Sequence, residues 1–281
     1  MCNAFSDCIL TSLGINEDND IKCDLSADIP IIGNCIYDSI IHAAGDISEV
    51  NAMQVNFNGT KNLCSALEKC PPKTFVFISS VAVYGIVTGE DIDESTPLCP
   101  TSQYGMSKLL AENFLRDWCA EHSVTLTILR PPMILGTGMK GTLRAMVNGI
   151  DRGTYFHIKG NTACRSIVHA LDVAKVAKLI APIGGIYNIT DGVNPSVEKL
   201  AEALACRIGG KSIFSMPYRL VKFAAKIGDA LGGKFPISTE KFTKLTTTLT
   251  FNSDKLQQTI NYTPIDVCDY LHNHNYDEND I

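Results

Sequence analysis

Strand-like and helix-like stretches alternate along this chain, and that alternation limits its possible folds more than any other feature. Short apolar and β-branched runs, typical of strands, lie at 8–13, 21–23, 37–43, 73–79, 124–129 and 185–189. Stretches with helical periodicity lie at 50–69, 107–122, 170–180 and 196–208. This order is typical of parallel βαβ units, so it predicts an α/β fold with a doubly wound parallel sheet.

The composition suits one large domain, or one domain with a small additional lobe. Of the 281 residues, 45% are hydrophobic and 19% are charged, which is enough apolar material for a full core. The net charge of −6 argues against a nucleic-acid-binding protein, as does the absence of a long Lys/Arg run.

The eleven cysteines include no Cys-x-x-Cys pair, which argues against a zinc site or a disulfide framework. We therefore expect no metal site and reduced thiols, as in a cytoplasm. No run approaches the roughly 18 apolar residues of a membrane span, and the first residues do not resemble a signal peptide. These features predict a cytoplasmic protein without a membrane span.

Three polar or small segments follow predicted strands, at 42–45, 79–80 and 130–133. Ligands of parallel sheets bind beyond the carboxyl ends of the strands, so we expect these segments to line one crevice. Ala43, Ala44 and Gly45 are small enough to let a cofactor approach the backbone closely. A plain exit from strand to loop is the alternative interpretation of this step.

Tyr104 and Lys108 are four residues apart at the start of a predicted helix. Tyr104 follows Ser80, which ends a predicted strand, by 24 residues. Residues at this spacing share a helix face, so the ammonium is expected beside the phenol, where it would lower the tyrosine pKa. A tyrosine tuned in this way can act as a general acid or base, with Ser80 holding the oxygen that gains or loses the proton.

Two other Tyr-x-x-x-Lys pairs, Tyr155–Lys159 and Tyr218–Lys222, show that the spacing alone is not specific. Tyr155 lies in a strand-like segment, where the two side chains would point apart. Tyr218 begins an amphipathic basic helix with no serine-ending strand before it. Only Tyr104 has the expected context, and the set predicts proton transfer in alcohol–ketone chemistry.

Four more positions are candidates for ligand contacts. Asp24 and Leu25 follow a short strand and could receive an adenine edge, although an ordinary turn aspartate is the alternative. Asn56 is predicted on the buried side of a helix, where its amide needs a partner. Arg165 is a candidate for binding a diphosphate, and a surface arginine is its alternative.

These segments together resemble the extended short-chain dehydrogenase/reductases, specifically the NAD-dependent epimerase/dehydratase family that acts on nucleotide sugars. The resemblance covers about residues 8–210, and its matching stretches are 23–25, 41–45, 56–63, 75–85, 103–112, 129–136 and 165–173.

The resemblance implies a role for each matching residue. It implies a catalytic triad of Ser80, Tyr104 and Lys108, with Ser80 and Arg165 on the substrate side. The cofactor-side positions would be Asp24, Leu25, Ala43, Ala44, Gly45, Asn56, Tyr104, Lys108, Pro131, Pro132 and Met133. The cofactor would be NAD or NADP, since no acidic residue closes the second predicted strand to choose between them.

The resemblance also implies a domain division. Residues 1–165 would form a Rossmann-like cofactor domain, and residues 166–271 would mostly form a smaller C-terminal α/β substrate lobe followed by a loose tail at 272–281. The family begins with a strand, a Gly-x-x-Gly-x-x-Gly turn and a helix that hold the cofactor pyrophosphate. The sequence contains no such segment, so we expect weak cofactor binding by an N-terminally truncated sheet.

The implied function is a UDP-hexose or UDP-N-acetylhexosamine 4-epimerase or 4-reductase in surface polysaccharide synthesis, with a homodimer as an open alternative to a monomer. A dehydratase is disfavoured because Val81-Ala82 supply no acid pair after the serine. The alternative is a non-catalytic nucleotide-binding or scaffold protein, or an inactive fragment of the same family. The basic amphipathic stretch at 217–234 either touches a membrane surface or partner, or packs on the substrate lobe.

Overall fold

The computed structural model describes residues 5, 7–33, 36–231 and 238–273. Its strands, in chain order, are β1 (Leu13–Gly14), β2 (Ile21–Lys22), β3 (Ser39–His42), β4 (Thr74–Ile78), β5 (Gly89–Ile92), β6 (Thr125–Arg130), β7 (Met133–Leu135), β8 (Phe156–Lys159), β9 (Ile167–His169), β10 (Gly185–Asn188), β11 (Phe214–Pro217) and β12 (Leu249–Phe251).

The α-helices are α1 (Gly59–Leu67), α2 (Gln103–Glu121), α3 (Gly141–Asp151), α4 (Ala170–Ile180), α5 (Val197–Arg207), α6 (Tyr218–Leu231), α7 (Thr239–Thr246), α8 (Asp254–Thr259) and α9 (Val267–Asn273). A π-helical segment over Met53–Asn58 leads into α1, and a 3-10 turn over Val81–Tyr84 follows β4.

The main sheet consists of four parallel strands in the order β10-β6-β4-β3. Strand β4 shows why it is covered on both faces. Phe75 and Phe77 pack with α1 and α2 on one side, while Val76 and Ile78 pack with α4 on the other. Because successive side chains of a strand point to opposite faces, an unbroken apolar run requires helices on both sides. The predicted α/β fold with a parallel sheet is confirmed.

Helix α2 carries most of the site, and its start is well defined. Ser102 caps it, with the Ser102 Oγ accepting a hydrogen bond from the Gly105 amide at 3.0 Å. Gly105 then passes so close to the 3-10 turn that an added Cβ would lie 2.6 Å from the Ala82 carbonyl oxygen. A residue without a Cβ is therefore needed where α2 meets the end of β4.

The remaining strands form small parallel pairs, β1 with β2, β5 with β12, β7 with β9 and β8 with β11. Helices α3, α5 and α9 share one core with β7 and β9, and α6 and α7 share another with β8. Strand β10 belongs to the main sheet. The main sheet therefore contains strands from before and from after residue 165. The division into a cofactor domain and a substrate lobe stays a prediction.

The segments near the two ends of the described chain differ from the sequence-based expectations. The strand predicted at 8–13 is wrong, because only Leu13 of that run is in a strand and Ile9 is fully exposed. A strand needs a pairing partner, and the β1–β2 pair involves only two residues on each side. The loose tail predicted at 272–281 lies mostly outside the described residues. Among the described helices, none is both long and apolar enough to cross a membrane.

We predict that Gly105→Ala lowers the free energy of unfolding by about 1–3 kcal/mol, because the new methyl group must displace the Ala82 carbonyl or the start of α2. Met106→Ala, at the exposed next position, should change it by less than about 0.5 kcal/mol. Urea unfolding of both variants checks this, and equal stabilities would contradict the close approach.

Candidate active site

Ser80 lies where β4 gives way to the 3-10 turn. Its backbone is extended, and its Oγ accepts a hydrogen bond from the Ala82 amide at 3.2 Å. The amide of Val81 donates to the Pro131 carbonyl at 3.2 Å, which holds the end of β4 against the segment that leaves β6. The ends of these two neighbouring strands therefore meet in one place, as the sequence predicted for residues 79–80 and 130–133.

Tyr104, on the first turn of α2, lies with its phenol against the Ser80 hydroxyl. Burial raises the pKa of Tyr104, and the hydrogen bond with Ser80 partly offsets that rise. The predicted fall in this pKa is wrong. The Lys108 ammonium donates to the Ile78 carbonyl and does not lower this pKa, so Tyr104 is a neutral phenol that can donate its proton.

Lys108 is buried one turn later on α2. Its Nζ donates a hydrogen bond to the Ile78 carbonyl at 2.9 Å and lies 4.8 Å from the centre of the Phe77 ring. Burial lowers the pKa of Lys108 to about 8, while the charge of Glu112 acts in the opposite direction. The lysine is therefore anchored to the end of β4 at Ile78, two residues before Ser80.

His42, at the end of β3, lies next to this lysine. Its ring stacks on Phe77 with 5.5 Å between centroids, and its Nε2 lies 2.9 Å from the Thr60 Oγ1. Burial, and to a smaller extent the charge on Lys108, together lower the pKa of His42 to about 3. His42 is thus a neutral packing residue under the site, and Lys108 is the cation there.

Gly45 and Asn56 complete the crevice on the side of β3. An added Cβ at Gly45 would lie 3.1 Å from the Asn56 Oδ1 and 3.2 Å from the Lys108 Nζ, so the loop passes directly over both groups. The buried Asn56 amide accepts from the Asp46 amide at 2.8 Å and donates to the Asp46 carbonyl and to the Ser107 Oγ, each at 2.9 Å. The partners predicted to be necessary for Asn56 are present.

This crevice fits the edge of a dinucleotide cofactor. The exposed, small residues Ala43, Ala44 and Gly45 leave the backbone accessible, and Lys108 places a donor beneath them. Pro131 is buried and Met133 is half-buried on the neighbouring strand end. The predicted cofactor-side residues after β3, on α2 and after β6 thus surround one space, and their roles stay predictions.

Three other candidates lie differently. Asp24 is exposed, and its carboxylate accepts hydrogen bonds from the amide and hydroxyl of Ser26. Leu25 is a core residue, and its carbonyl accepts from the Asn62 amide at 2.8 Å. Arg165 is half-buried and donates to the Lys244 carbonyl. The contacts of Arg165 leave its predicted role toward a diphosphate untested.

A buried ionic network behind the site was not foreseen from the sequence. Arg130 donates to both oxygens of Glu112, from Nε at 3.0 Å and from Nη2 at 2.6 Å. Ser79 donates to the same carboxylate at 2.6 Å, and Tyr84 accepts from Arg130 at 3.1 Å. The available signal was the spacing of Glu112, four residues after Lys108 and hence on the same buried face of α2.

The competing tyrosine–lysine pairs differ from Tyr104–Lys108 in their surroundings. Tyr218 is exposed, and Lys222 lies 6.0 Å from the centre of its ring in a cation–π contact. Tyr155 precedes β8 and Lys159 ends it, with the lysine exposed. Burial raises the pKa of Tyr155 to about 12.

Among the described residues, one group could hold a metal ion. It comprises His157 on β8 with Glu198 and Glu202 on α5, whose candidate ligand atoms all lie within 4.8 Å of one another. The sequence-based expectation of no metal site stays a prediction.

With this geometry in view, comparison with known proteins identifies the family. Residues 22–190 match the model of the NAD dependent epimerase/dehydratase family, which is more than half of the chain. The chain belongs to this family. The matched range includes Ser80, Tyr104 and Lys108 and both sides of the crevice between β3 and β6. The family consists of NAD-dependent enzymes, which confirms the predicted enzyme class and its nicotinamide cofactor.

Two relatives illustrate what family members do. The chain is 28% identical over 259 residues to the N-acetyl-alpha-D-glucosaminyl-diphospho-ditrans,octacis-undecaprenol 4-epimerase of Escherichia coli O157:H7, covering 86% of this chain and 77% of that protein. It is 29% identical over 216 residues to the UDP-glucose 4-epimerase of Bacillus subtilis strain 168, covering 65% of this chain and 62% of that protein. It spans about half the length of the dTDP-D-glucose 4,6-dehydratase of Homo sapiens.

A solved structure shares the fold. The UDP-glucose 4-epimerase of Thermotoga maritima, solved with UDP-glucose, superposes with a TM-score of 0.63 at 20% identity, covering 84% of this chain and 75% of that one. Other structures of the same fold hold NAD or NADPH. The predicted Rossmann-like architecture is confirmed by this similarity.

We predict that Glu112→Gln lowers the free energy of unfolding by about 3–5 kcal/mol, because it leaves the buried Arg130 guanidinium without its counter-charge. Arg116 offers a matched control, since it pairs with the same carboxylate from a partly exposed position at 3.2 Å. Arg116→Ala should cost only about 0–1 kcal/mol. Chemical denaturation measures both, and similar losses would contradict a stabilising buried pair.

A second prediction concerns pH. Between pH about 8, the pKa of buried Lys108, and its ordinary 10.5, the unfolded chain holds a proton that the folded chain has released. Stability contributed through Lys108 therefore rises with pH in this window. The free energy of unfolding of the parent minus that of Lys108→Met should increase across it by on the order of 3 kcal/mol. Urea titrations at several pH values test this, and a flat or falling difference would contradict the depressed pKa.

Proposed function

We propose that this chain is a 4-epimerase of a diphosphate-linked hexose or N-acetylhexosamine, and that Ser80, Tyr104 and Lys108 carry the chemistry. The observation that supports this most directly is the contact between the Tyr104 phenol and the Ser80 hydroxyl at the end of β4, beside the buried Lys108. A scaffold protein has no need for a buried lysine and a paired tyrosine at the mouth of a sheet.

The proposed chemistry assigns one task to each residue. Ser80 holds the sugar oxygen at C4 by a hydrogen bond. Tyr104 first releases its phenol proton to solvent, and as a phenolate it then takes the proton from that hydroxyl and later returns it. A bound nicotinamide cofactor would supply the hydride chemistry at C4, as the acceptor and later the donor of the hydride. Lys108 supplies a positive charge at the end of β4. This charge favours ionisation of the Tyr104 phenol when ligands bound in the crevice bring the ammonium and the phenol closer together.

Lys108 is well suited to hold that charge in place. Its hydrogen bond to the Ile78 carbonyl fixes the ammonium, and the pKa of about 8 leaves it mostly protonated at neutral pH. The loop at Ala43–Gly45 would contact the cofactor from the other side, with Asn56 holding that loop through its bonds to Asp46. In this way one chain segment orients the cofactor and another moves the proton.

The relatives favour an epimerase over a reductase, because two of the three reported above are named as 4-epimerases and the third as a dehydratase. Their substrates share a sugar attached to a diphosphate, carried by a nucleoside in one and by a polyprenol in the other. We infer the shared chemistry for this chain, with Arg165 as the candidate for contact with the diphosphate. A place in surface polysaccharide synthesis, a cytoplasmic location and a homodimer stay predictions.

The experiment incubates the purified chain with UDP-glucose, UDP-N-acetylglucosamine or polyprenyl-diphospho-N-acetylglucosamine, each with NAD or NADP, and identifies the products. Conversion to the 4-epimer without net change in cofactor absorbance supports an epimerase. A product reduced at C4 with equal oxidation of added NADPH or NADH would identify a reductase instead.

We predict that Tyr104→Phe lowers turnover by about 10²–10⁴-fold with little change in melting temperature, because it removes one hydroxyl from a crevice and no core volume. Tyr218→Phe is the matched control, since it has the same spacing to a lysine but an exposed ring, and it should retain most of the activity. Parent-like turnover in Tyr104→Phe would contradict the assignment of the proton-transferring residue.

A further inference from the structure

Helix α6 has one face that packs against the protein. Val221 and Ala225 are buried and share a core with Ile158 of β8 and Phe242 of α7. Gly228 continues the same face one turn later and is also buried. Because a helix turns about 100° per residue, these positions define a single inner side, and the opposite side of α6 faces away from the protein.

The outer side of α6 carries large apolar side chains. Leu220 is 57% exposed, Phe223 is 65% exposed and Ile227 is 38% exposed. Their spacing of three and then four residues places them in one ridge along the helix. Phe214, at the start of the adjoining strand β11, is 53% exposed, and its ring is tilted by 34° to that of Phe156 with 5.8 Å between the centroids. Single exposed apolar residues are ordinary, whereas a continuous ridge of them indicates an interaction surface.

A second ridge, made of cations, runs beside the apolar one. Arg219, Lys222 and Lys226 each precede or follow an apolar ridge residue by one position, so they lie about a quarter-turn around the helix and are exposed. In the part of the chain that the structure describes, none of the three forms a salt bridge. The nearby acid Asp229 is engaged by the amide of Thr239 at 2.9 Å. The basic ridge is therefore not neutralised from within the described chain.

We propose that this outer face of α6 docks on an anionic lipid surface. Paired apolar and basic ridges on one exposed helix are the pattern that lies in the interface of a charged membrane, with aromatic and leucine side chains inserted and lysines against headgroups. These three cations form no salt bridge with the described residues, and the net charge of the whole chain is −6, so attraction to an anionic surface is local to this face.

The same face suits other occupants less well. Lysines are depleted in the buried centres of protein–protein interfaces, whereas Lys222 lies directly beside Phe223. A second copy bound through a two-fold axis would bring two equally cationic faces together, since each copy presents the same patch. Charge complementarity thus favours lipid over a copy of this chain. The inference does not depend on the proposed catalytic function, because docking is measured without turnover.

The test is flotation of the full chain with vesicles of phosphatidylcholine alone or of phosphatidylcholine mixed with phosphatidylglycerol. The parent should float with the anionic vesicles, remain behind with the neutral ones, and detach as salt is added. Lys222→Glu should weaken binding about tenfold by removing an attraction and adding a repulsion. Phe223→Glu should abolish it by removing the inserted ring.

Helix α4 provides the matched controls, because Lys175 and Leu179 are an exposed cation and an exposed leucine on another helix. Lys175→Glu and Leu179→Glu should float like the parent, and the melting temperatures of all four variants establish that they are folded. Failure of the parent to float with anionic vesicles overturns the proposal, as does equal loss of binding in the α4 controls. Self-association that Phe223→Glu abolishes, without vesicle binding, would assign the face to a second copy and also overturn it.

Discussion

The position of helix α2 depends on one buried carboxylate. Glu112 cannot remain charged inside the protein without partners, so it draws Arg130 of β6 and Ser79, the residue after β4, into bonds of 2.6–3.0 Å. These bonds join the helix to the two strands whose ends form the crevice. The contact between Tyr104 and Ser80 is thereby set by groups that lie two turns further along the helix and out of reach of any ligand in the crevice.

The sequence was sufficient for the architecture and for the principal contact of the site. Alternating strand and helix patterns predicted the parallel sheet, because each pattern has its own period. The location of Tyr104 after a buried strand predicted its meeting with Ser80. Spacing could not give the direction of the Lys108 amine, which turns to the Ile78 carbonyl. Spacing also could not give the burial of Tyr104, which raises its pKa, and for this reason the predicted sign of the shift was wrong.

Contacts between residues that are distant in the sequence also could not be predicted from it. Arg130 and Glu112 are 18 residues apart, and Tyr84 donates to Asn188 at 2.8 Å across 104 residues. No local pattern announces such pairs, since each residue alone is compatible with a solvated surface. The strand prediction at 8–13 was wrong although the local pattern there is strand-like. Pairing with a neighbouring strand decides whether a strand forms, and only Leu13 of this run is paired.

The main sheet also has a consequence for how the protein assembles during synthesis. Its spatial order from β3 through β4 and β6 to β10 is the order in which the ribosome releases these strands, so each new strand can pair with the one made before it. Glu112 emerges before Arg130, and its helix can be buried completely only after β6 has arrived. A nascent chain halted between these two residues would hold Glu112 without its counter-charge and the apolar face of α2 without the strand that helps to cover it.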